Sequence, residues 1–301
     1  MEPIDEEAFG KLKLAGRILR EVREEIRSII HEKMPVIEIC ERAEQLIIEK
    51  GAKPAFPCNI SINEVAAHYT SPPGDTLTIP EGALVKVDLG AHIDGYVVDT
   101  AITVCFNPQY VELVRTAEKA LQAAIETIRP GLPTSVLGSV IEQNIKSRGF
   151  KPISNLTGHQ VGRYVVHAGT SLPNIYHPSI AKLKLGGAYA IEPFVTLPEA
   201  AGKVEDGSEV TIFRLLKPKK VGSLEARKLL GYIEENFKTL PFALRWIKNV
   251  VPKDHFNKAF HELLKAKAVI GYPVFIEVSK QPVAQAEHTV LVVEDGCVIL
   301  T

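Results

Sequence analysis

Four carboxylates stand inside segments whose other residues call for burial in a sheet, and they restrict the folds open to this chain more than any other feature. Asp88 lies in VKVDLG, Asp99 in YVVDTAITV, Glu192 in YAIEPF and Glu287 in AQAEHTVLVV. Apolar and β-branched runs of this kind read as strands. A buried carboxylate without a partner is destabilising by several kcal/mol even after relaxation. One such acid could sit at a strand end in water, but four together call for a common partner. Lys86, two residues from Asp88 and on the same face, could pair with it, stay solvated or support it from behind, and no strand-embedded Arg is at hand in these motifs. Charge balance favours metal: two divalent cations cancel four negative charges, and a neutral His adds a nitrogen donor without changing the sum. An oxygen-rich set with one imidazole suits Mn, Fe, Co or Zn rather than a thiolate structural site. Two such ions held close together can stabilise both ends of a displacement.

Around these acids the chain organises into helices and strands. Residues 11–30 carry Leu14, Ile18, Val22, Ile26 and Ile29 at helical spacing, and Val36–Lys50 repeats the pattern before Gly51. Residues 53–75, rich in Pro, Asn, Ser and Gly, favour loop and turn. Ala83–Leu89 and Tyr96–Phe106 read as a hairpin about Asp94-Gly95. A helix over Tyr110–Ile128 and a second, capped by Thr134 or Ser135 and ended by Gly149, follow. Strand-like segments reappear near Val165, at Tyr189–Val195 and at Gln285–Val293, with Asp295-Gly296 closing a last hairpin. Two helices followed by strands, twice over, indicate an α/β protein of two related halves. Residues 205–280 interrupt the second half and read as a helical insertion, with helices at Ser223–Lys238 and Asp254–Val269, rather than as another strand pair.

Composition excludes several classes. The 301 residues are 46% hydrophobic and 24% charged, an ordinary globular balance with net charge −1. No charge excess favours nucleic acid or an acidic membrane as partner, and no apolar run is long enough to span a bilayer. The opening segment, MEPIDEEAFGKLKLAGRILR, lacks the apolar stretch of a signal peptide. Cys40, Cys58, Cys105 and Cys297 show no CxxC spacing and read as free thiols. Together these give a cytoplasmic protein as the expectation.

Longer segments add a resemblance. PAFPCNISINEVAAHYTSPPGD (54–75), VDLGAHIDGYVVDTAITV (87–104), NLTGHQVGRYVVHAGTSLPN (155–174) and AQAEHTVLV (284–292), with AIEPF and TLPFALRW, resemble the type 2 methionine aminopeptidases over nearly the whole chain. The resemblance implies the pita-bread fold, two pseudo-symmetric halves of helices on a curved antiparallel sheet, with 1–204 and 281–301 as catalytic domain and 205–280 as the type 2 insertion. The lack of a long charged N-terminal extension is similar to the archaeal form. It implies two divalent ions, with Asp88 chelating one, Asp99 and Glu287 bridging both, and His159 and Glu192 completing the second. Glu192 then serves as general base, His68 and His167 face the substrate, and Phe56 and Val166 line the pocket for the Met side chain. The implied reaction is removal of the N-terminal methionine from nascent polypeptides near the ribosome, by a monomer. A free amino group binding metal would confine cleavage to N-termini. One departure stands out: Ala286 replaces the aromatic residue that commonly precedes the last Glu, which predicts altered packing on the opposite face from Glu287. The other histidines read as surface (His31, His255, His261), as loop (His92, His177) or as facing away from the site (His288). A prolidase or Xaa-Pro aminopeptidase of the same fold, and a non-catalytic binding protein of that fold, are the alternatives.

Overall fold

Apolar spacing sets the first layer. In the computed structural model, which describes residues 5–301, α1 (Glu6–Ile29) and α2 (Val36–Glu49) are the two helices expected at the start. Residues 1–4, the beginning of the segment judged above for a signal peptide, lie outside the described residues. The Asp5 carboxylate caps α1 by accepting the Ala8 N–H at 2.7 Å, and Glu6 and Glu7 in the first turn suit the helix dipole. Its buried stripe runs through Leu12, Ala15, Leu19, Val22 and Ile26. Leu14, expected inward, is exposed, because two residues from Leu12 is nearly the opposite face of a helix.

The next strands are β1 (Lys53–Ile62), β2 (Val65–Ala67), β3 (Leu84–Ile93) and β4 (Tyr96–Cys105). The strand β1 corrects the expectation of a loop over 53–75. It lies at the edge of its sheet, and its register shifts between Pro54 and Phe56 and again between Phe56 and Asn59, which is how a strand tolerates Pro54 and Pro57. The β3–β4 hairpin turns through Asp94 and Gly95, both at positive φ (49° and 87°), as a two-residue turn requires. Its register sets Asp88 opposite Ala101 and Asp99 opposite Gly90, so both aspartates occupy one face. Val85, Val87 and Leu89 on the other face pack into one core with α1 and α2.

The second half repeats the plan with α3 (Val111–Thr127), α4 (Thr134–Lys146), β5 (Lys151–Pro152), β6 (Thr157–Val161), β7 (Ser171–Pro173), β8 (Ala188–Ile191) and β9 (Phe194–Thr196). Pro133, not Thr134 or Ser135, takes the cap position of α4. The strands expected near Val165 are β6 and β7; Val165 itself lies in a tight turn closed by Gly162.

Residues 205–280 are not purely helical. The helices α5 (Leu224–Phe237), α6 (Leu244–Ile247) and α7 (Lys253–Lys265) are framed by β10 (Val204–Leu215) and β12 (Val269–Glu277), with the short β11 (Phe242–Ala243) between α5 and α6. β10 and β12 pair antiparallel, which corrects the reading of this stretch as helices without a strand pair. The chain closes with β13 (Val283–Gln285), β14 (Glu287–Val293) and β15 (Gly296–Ile299).

These strands make an eight-stranded sheet, ordered β1-β3-β4-β14-β8-β6-β7 with β15 beside β14, a four-stranded sheet β11-β10-β12-β2 and a three-stranded sheet β13-β9-β5. β14 lies between β4 and β8 and so joins the halves. Tyr189–Val195 and Gln285–Val293, each expected as one strand, are each broken in two at matching places. Gln285 pairs with Phe194 in the small sheet, His288 pairs with Ile191 in the large one, and the Ala286 N–H donates to the Pro193 carbonyl at 3.4 Å between them. Glu192 falls in one break and Glu287 opens the strand after the other.

Candidate metal centre

The large sheet brings the expected acids together. Asp88 and Asp99 come from the β3–β4 hairpin, Glu287 from the start of β14 opposite Ala101, His159 from β6 opposite Ala190, and Glu192 from the break just after β8. Tyr189 and Ile191 on the other side of β8 enter the core beneath α3 and α4, which turns Ala190 and Glu192 toward the site. Ligand atoms of Asp99, His159 and Glu287 lie within 4.8 Å of one another. His159 Nε2 is 3.6 Å from Asp99 Oδ2 and 3.4 Å from Glu192 Oε1. All five residues that the sequence singled out therefore meet.

The cluster is electrostatically unbalanced. Asp88 Oδ1, Asp99 Oδ1 and both Glu287 oxygens are buried without a hydrogen-bond partner among the described residues. Burial drives the Asp88 carboxyl up to about 7. Asp99, Glu192 and Glu287 are held well above the usual carboxylate range, first by burial and then by their acidic neighbours. His159 moves the other way, to about 3, because burial disfavours its charged form. It is therefore the neutral imidazole that a cation would want. Among the described residues no Lys or Arg forms an ion pair with these acids. Lys86 is buried rather than solvated, but its ammonium donates to the Asn63 and Val283 carbonyls at 3.0 and 2.7 Å, and burial lowers it to about 7.

Unpaired oxygens and a neutral imidazole around one point fit a divalent metal ion better than any group the chain itself supplies. The deprotonated set carries four negative charges with nothing to offset them, so the residues present fit the metal that charge balance called for.

A cavity of about 360 Å³ opens onto Asp88, Asp99, His159 and Glu192; Glu287 is not among the residues that line it. Phe56, His68, Val166 and His167, all expected near substrate, line the same space. Gly90 makes room for Phe56: a Cβ at position 90 would lie 2.1 Å from the Phe56 ring. His68 has φ +68°, a strained conformation for a non-glycine residue that persists only where its surroundings enforce it. Here the Phe275 and Tyr272 rings lie 4.5 and 5.5 Å from the imidazole, and Nδ1 is 3.3 Å from the Pro273 carbonyl. Burial among these rings pulls its pKa down to about 4. His167 opens to the cavity on one side, yet the surrounding protein and the nearby Arg214 charge lower its pKa too; its ring centroid is 4.3 Å from that of His159.

Tyr272 and Phe275 were not expected here. In sequence Gly271-Tyr272-Pro273 looks like a helix stop, and only its position in β12 carries the side chains to the cavity. His92, expected in a loop, is buried in β3, where Nδ1 accepts the Gly95 N–H at 3.0 Å, and it is not a cavity residue. His288 does face away: its Nδ1 lies 3.2 Å from both Arg23 Nη1 and Thr301 Oγ1. Ala286 packs in the core beneath α3, on the side away from Glu287.

Residues 10–294 match the sequence pattern of metallopeptidase family M24. The chain belongs to that family. Within it, a protein named methionine aminopeptidase from Methanothermobacter thermautotrophicus is 45% identical over 290 residues, covering 95% of this chain and 96% of that one. Among solved structures, a thermophilic Arx1 superposes with a TM-score of 0.84 at 18% identity, covering 99% of this chain and 91% of that one. A methionine aminopeptidase from Thermotoga maritima superposes at 0.72 and 23% identity, covering 100% and 99%. These likenesses establish the M24 pita-bread fold, with its two helix-backed halves of a curled antiparallel sheet. A prolidase from Pyrococcus furiosus shares it at 0.63, but this chain spans only 65% of that one.

Proposed function

We propose that this M24 chain removes the N-terminal methionine from nascent polypeptides. The observation that carries the reading is the meeting of all five metal-type donors beneath a cavity lined by Phe56, Val166, His68 and His167, in a chain that aligns end to end with proteins named methionine aminopeptidase. Asp88, Asp99, His159, Glu192 and Glu287 would hold two ions, drawn from Co, Mn, Fe and Zn. When bound, such ions neutralise the acids and make water acidic enough to deprotonate near neutral pH.

The remaining steps belong to the chain's own groups. Glu192, at the edge of the cluster and open to the cavity, takes the proton from water and passes it to the leaving amine. His167 donates a hydrogen bond to the scissile carbonyl oxygen as negative charge grows there. His68, fixed by Phe275, Tyr272 and the Pro273 carbonyl, meets the peptide on its leaving side. Phe56 and Val166 pack the Met side chain, and such an apolar pocket separates neighbouring side chains by only about 1–3 kcal/mol. Residues 1–204 and 281–301 form the catalytic body; 205–280 act as a subdomain that walls the cavity with Tyr272 and Phe275. The protein works as a cytoplasmic monomer near the ribosome.

Met-Ala-Ser and Xaa-Pro peptides, offered to protein loaded with Mn²⁺, test the reading. Hydrolysis of Met-Ala-Ser alone is expected. Cleavage of Xaa-Pro peptides with Met-Ala-Ser left intact would transfer the chain to the prolidase group.

A further inference from the structure

One polar side chain at the cluster has no part in the roles above. Gln285 is 1% exposed, and its backbone is clamped by Thr103: Thr103 Oγ1 donates to the Gln285 carbonyl at 2.7 Å and accepts its N–H at 2.8 Å. Gln285 pairs with Phe194 across the β13–β9 ladder, which puts Glu192 at the diagonal position, within reach of a long side chain. The amide makes that contact, Nε2 donating to Glu192 Oε2 at 3.3 Å. The other oxygen of Glu192, Oε1, is left facing His159 Nε2 at 3.4 Å. An amide carries N–H donors and no charge, so it can anchor a carboxylate of the cluster without adding to the repulsion. A carboxylate at position 285 would add a fifth negative charge, and an apolar side chain would leave Glu192 without an anchor.

We propose that Gln285 is a positioning residue: its amide fixes the direction of the Glu192 carboxylate so that it already faces the other donors before metal enters. The proposal rests on the metal-site reading above and concerns only residues of this chain. Its effect falls on metal affinity and on the turnover step, because Glu192 both completes the ligand set and moves the proton.

The test combines calorimetric Mn²⁺ titration of chelator-treated protein with steady-state kinetics on Met-Ala-Ser. In Gln285→Leu, similar in size but without a donor, Mn²⁺ affinity and kcat at saturating Mn²⁺ should each fall about 10–100-fold, with KM within about threefold. Affinity and kcat both within about twofold of wild type would overturn the proposal. A rise in KM with kcat unchanged would overturn it too, by making Gln285 a substrate contact. Should circular dichroism show that the Leu variant does not fold, Gln285→Glu decides, since it keeps the shape but replaces the donated hydrogen bond with repulsion. A kcat loss of about tenfold or more at saturating Mn²⁺ supports positioning, and wild-type kcat overturns it. Wild-type protein inert toward Met-Ala-Ser would defeat the proposed function while leaving the Mn²⁺ titration, which needs no substrate, as the test of Gln285.

Discussion

Glu277 and the Asp88–Asp99–Glu192–Glu287 cluster are both buried carboxylate sites, and the chain treats them in opposite ways. Glu277 is fully buried in β12, and burial by itself would raise its pKa. Instead Ser279 donates to it through N–H and hydroxyl, both at 2.7 Å, Gln281 N–H at 3.2 Å and Gly202 N–H at 3.0 Å, and these hold it below the usual range. Glu44 is likewise provided for, by Arg245, the Trp246 indole N–H and the Cys58 N–H. The cluster receives one amide from Gln285 and leaves four oxygens without partners. Carboxylates that a protein buries for structure are given donors by the protein. Those left without donors on the face of a cavity are held for something that comes from outside. The difference between the two sites, more than burial as such, marks the cluster as functional.

The most severe test of the contrast exchanges one acid at each site for its amide. Glu192→Gln should reduce kcat on Met-Ala-Ser by about 10²–10⁴-fold, the usual contribution of a positioned general base. Glu277→Gln should leave kcat close to wild type, because no cavity residue depends on it. Steady-state rates at saturating Mn²⁺ check both. Equal losses in the two variants would remove the distinction, and full activity in Glu192→Gln would withdraw the base assignment.

Stability of the metal-free protein should split the sites by sign. Glu277→Gln replaces an acceptor of several hydrogen bonds with a group that brings its own unsatisfied N–H donors, and it should lower unfolding stability by about 1–3 kcal/mol. Asp99→Asn removes an acid whose ionisation burial and its acidic neighbours oppose, and should raise the thermal midpoint in the presence of chelator. Mn²⁺ should then stabilise wild type more than the Asp99→Asn variant. Scanning calorimetry with chelator and with Mn²⁺ measures each; a fall in midpoint for chelated Asp99→Asn would mean that the cluster is already balanced within the protein.

Sequence made part of this contrast legible. The four helices α1–α4 announce themselves because each must bury one stripe against a sheet, and the β3–β4 hairpin because Asp94-Gly95 suits one turn. β1 was hidden by Pro54 and Pro57, which an edge strand tolerates. β10 was hidden by the polar run Glu205–Glu209 and by register shifts between Asp206 and Ile212 that break the alternation of a strand. The cluster acids stood out for their apolar neighbours, yet Glu277 in VFIEV has the same neighbours and no such role. Local pattern shows that a carboxylate is buried but not which donors reach it, since Gly202 lies 75 residues away from Glu277 in sequence. The longer matching segments, not the apolar context, told the two kinds of acid apart. Gln285, neutral and in an unexceptional strand, gave no signal of its own.

The smallest expected effect is a pH dependence that the cluster should show and Glu277 should not. Metal takes ionised carboxylate and neutral imidazole, so any proton held by the free site must leave on binding. His159, with its pKa pulled down to about 3, has already lost its proton at pH 6 and contributes nothing between pH 6 and 8. Asp88, raised to about 7, is largely protonated at pH 6 and largely ionised at pH 8, and the other three acids are shifted in the same direction. Each retained proton competes with the ion, so Mn²⁺ affinity should rise by at least about tenfold from pH 6 to pH 8, with proton release greater at pH 6. Titrations in two buffers of different ionisation enthalpy count those protons. Glu277, held below the usual carboxylate range, is ionised throughout this window, so Glu277→Gln should leave the slope unchanged. Asp88→Asn should lessen it. An affinity independent of pH would mean that the acids are already ionised without metal, and that the donors they lack are supplied by water rather than by an ion.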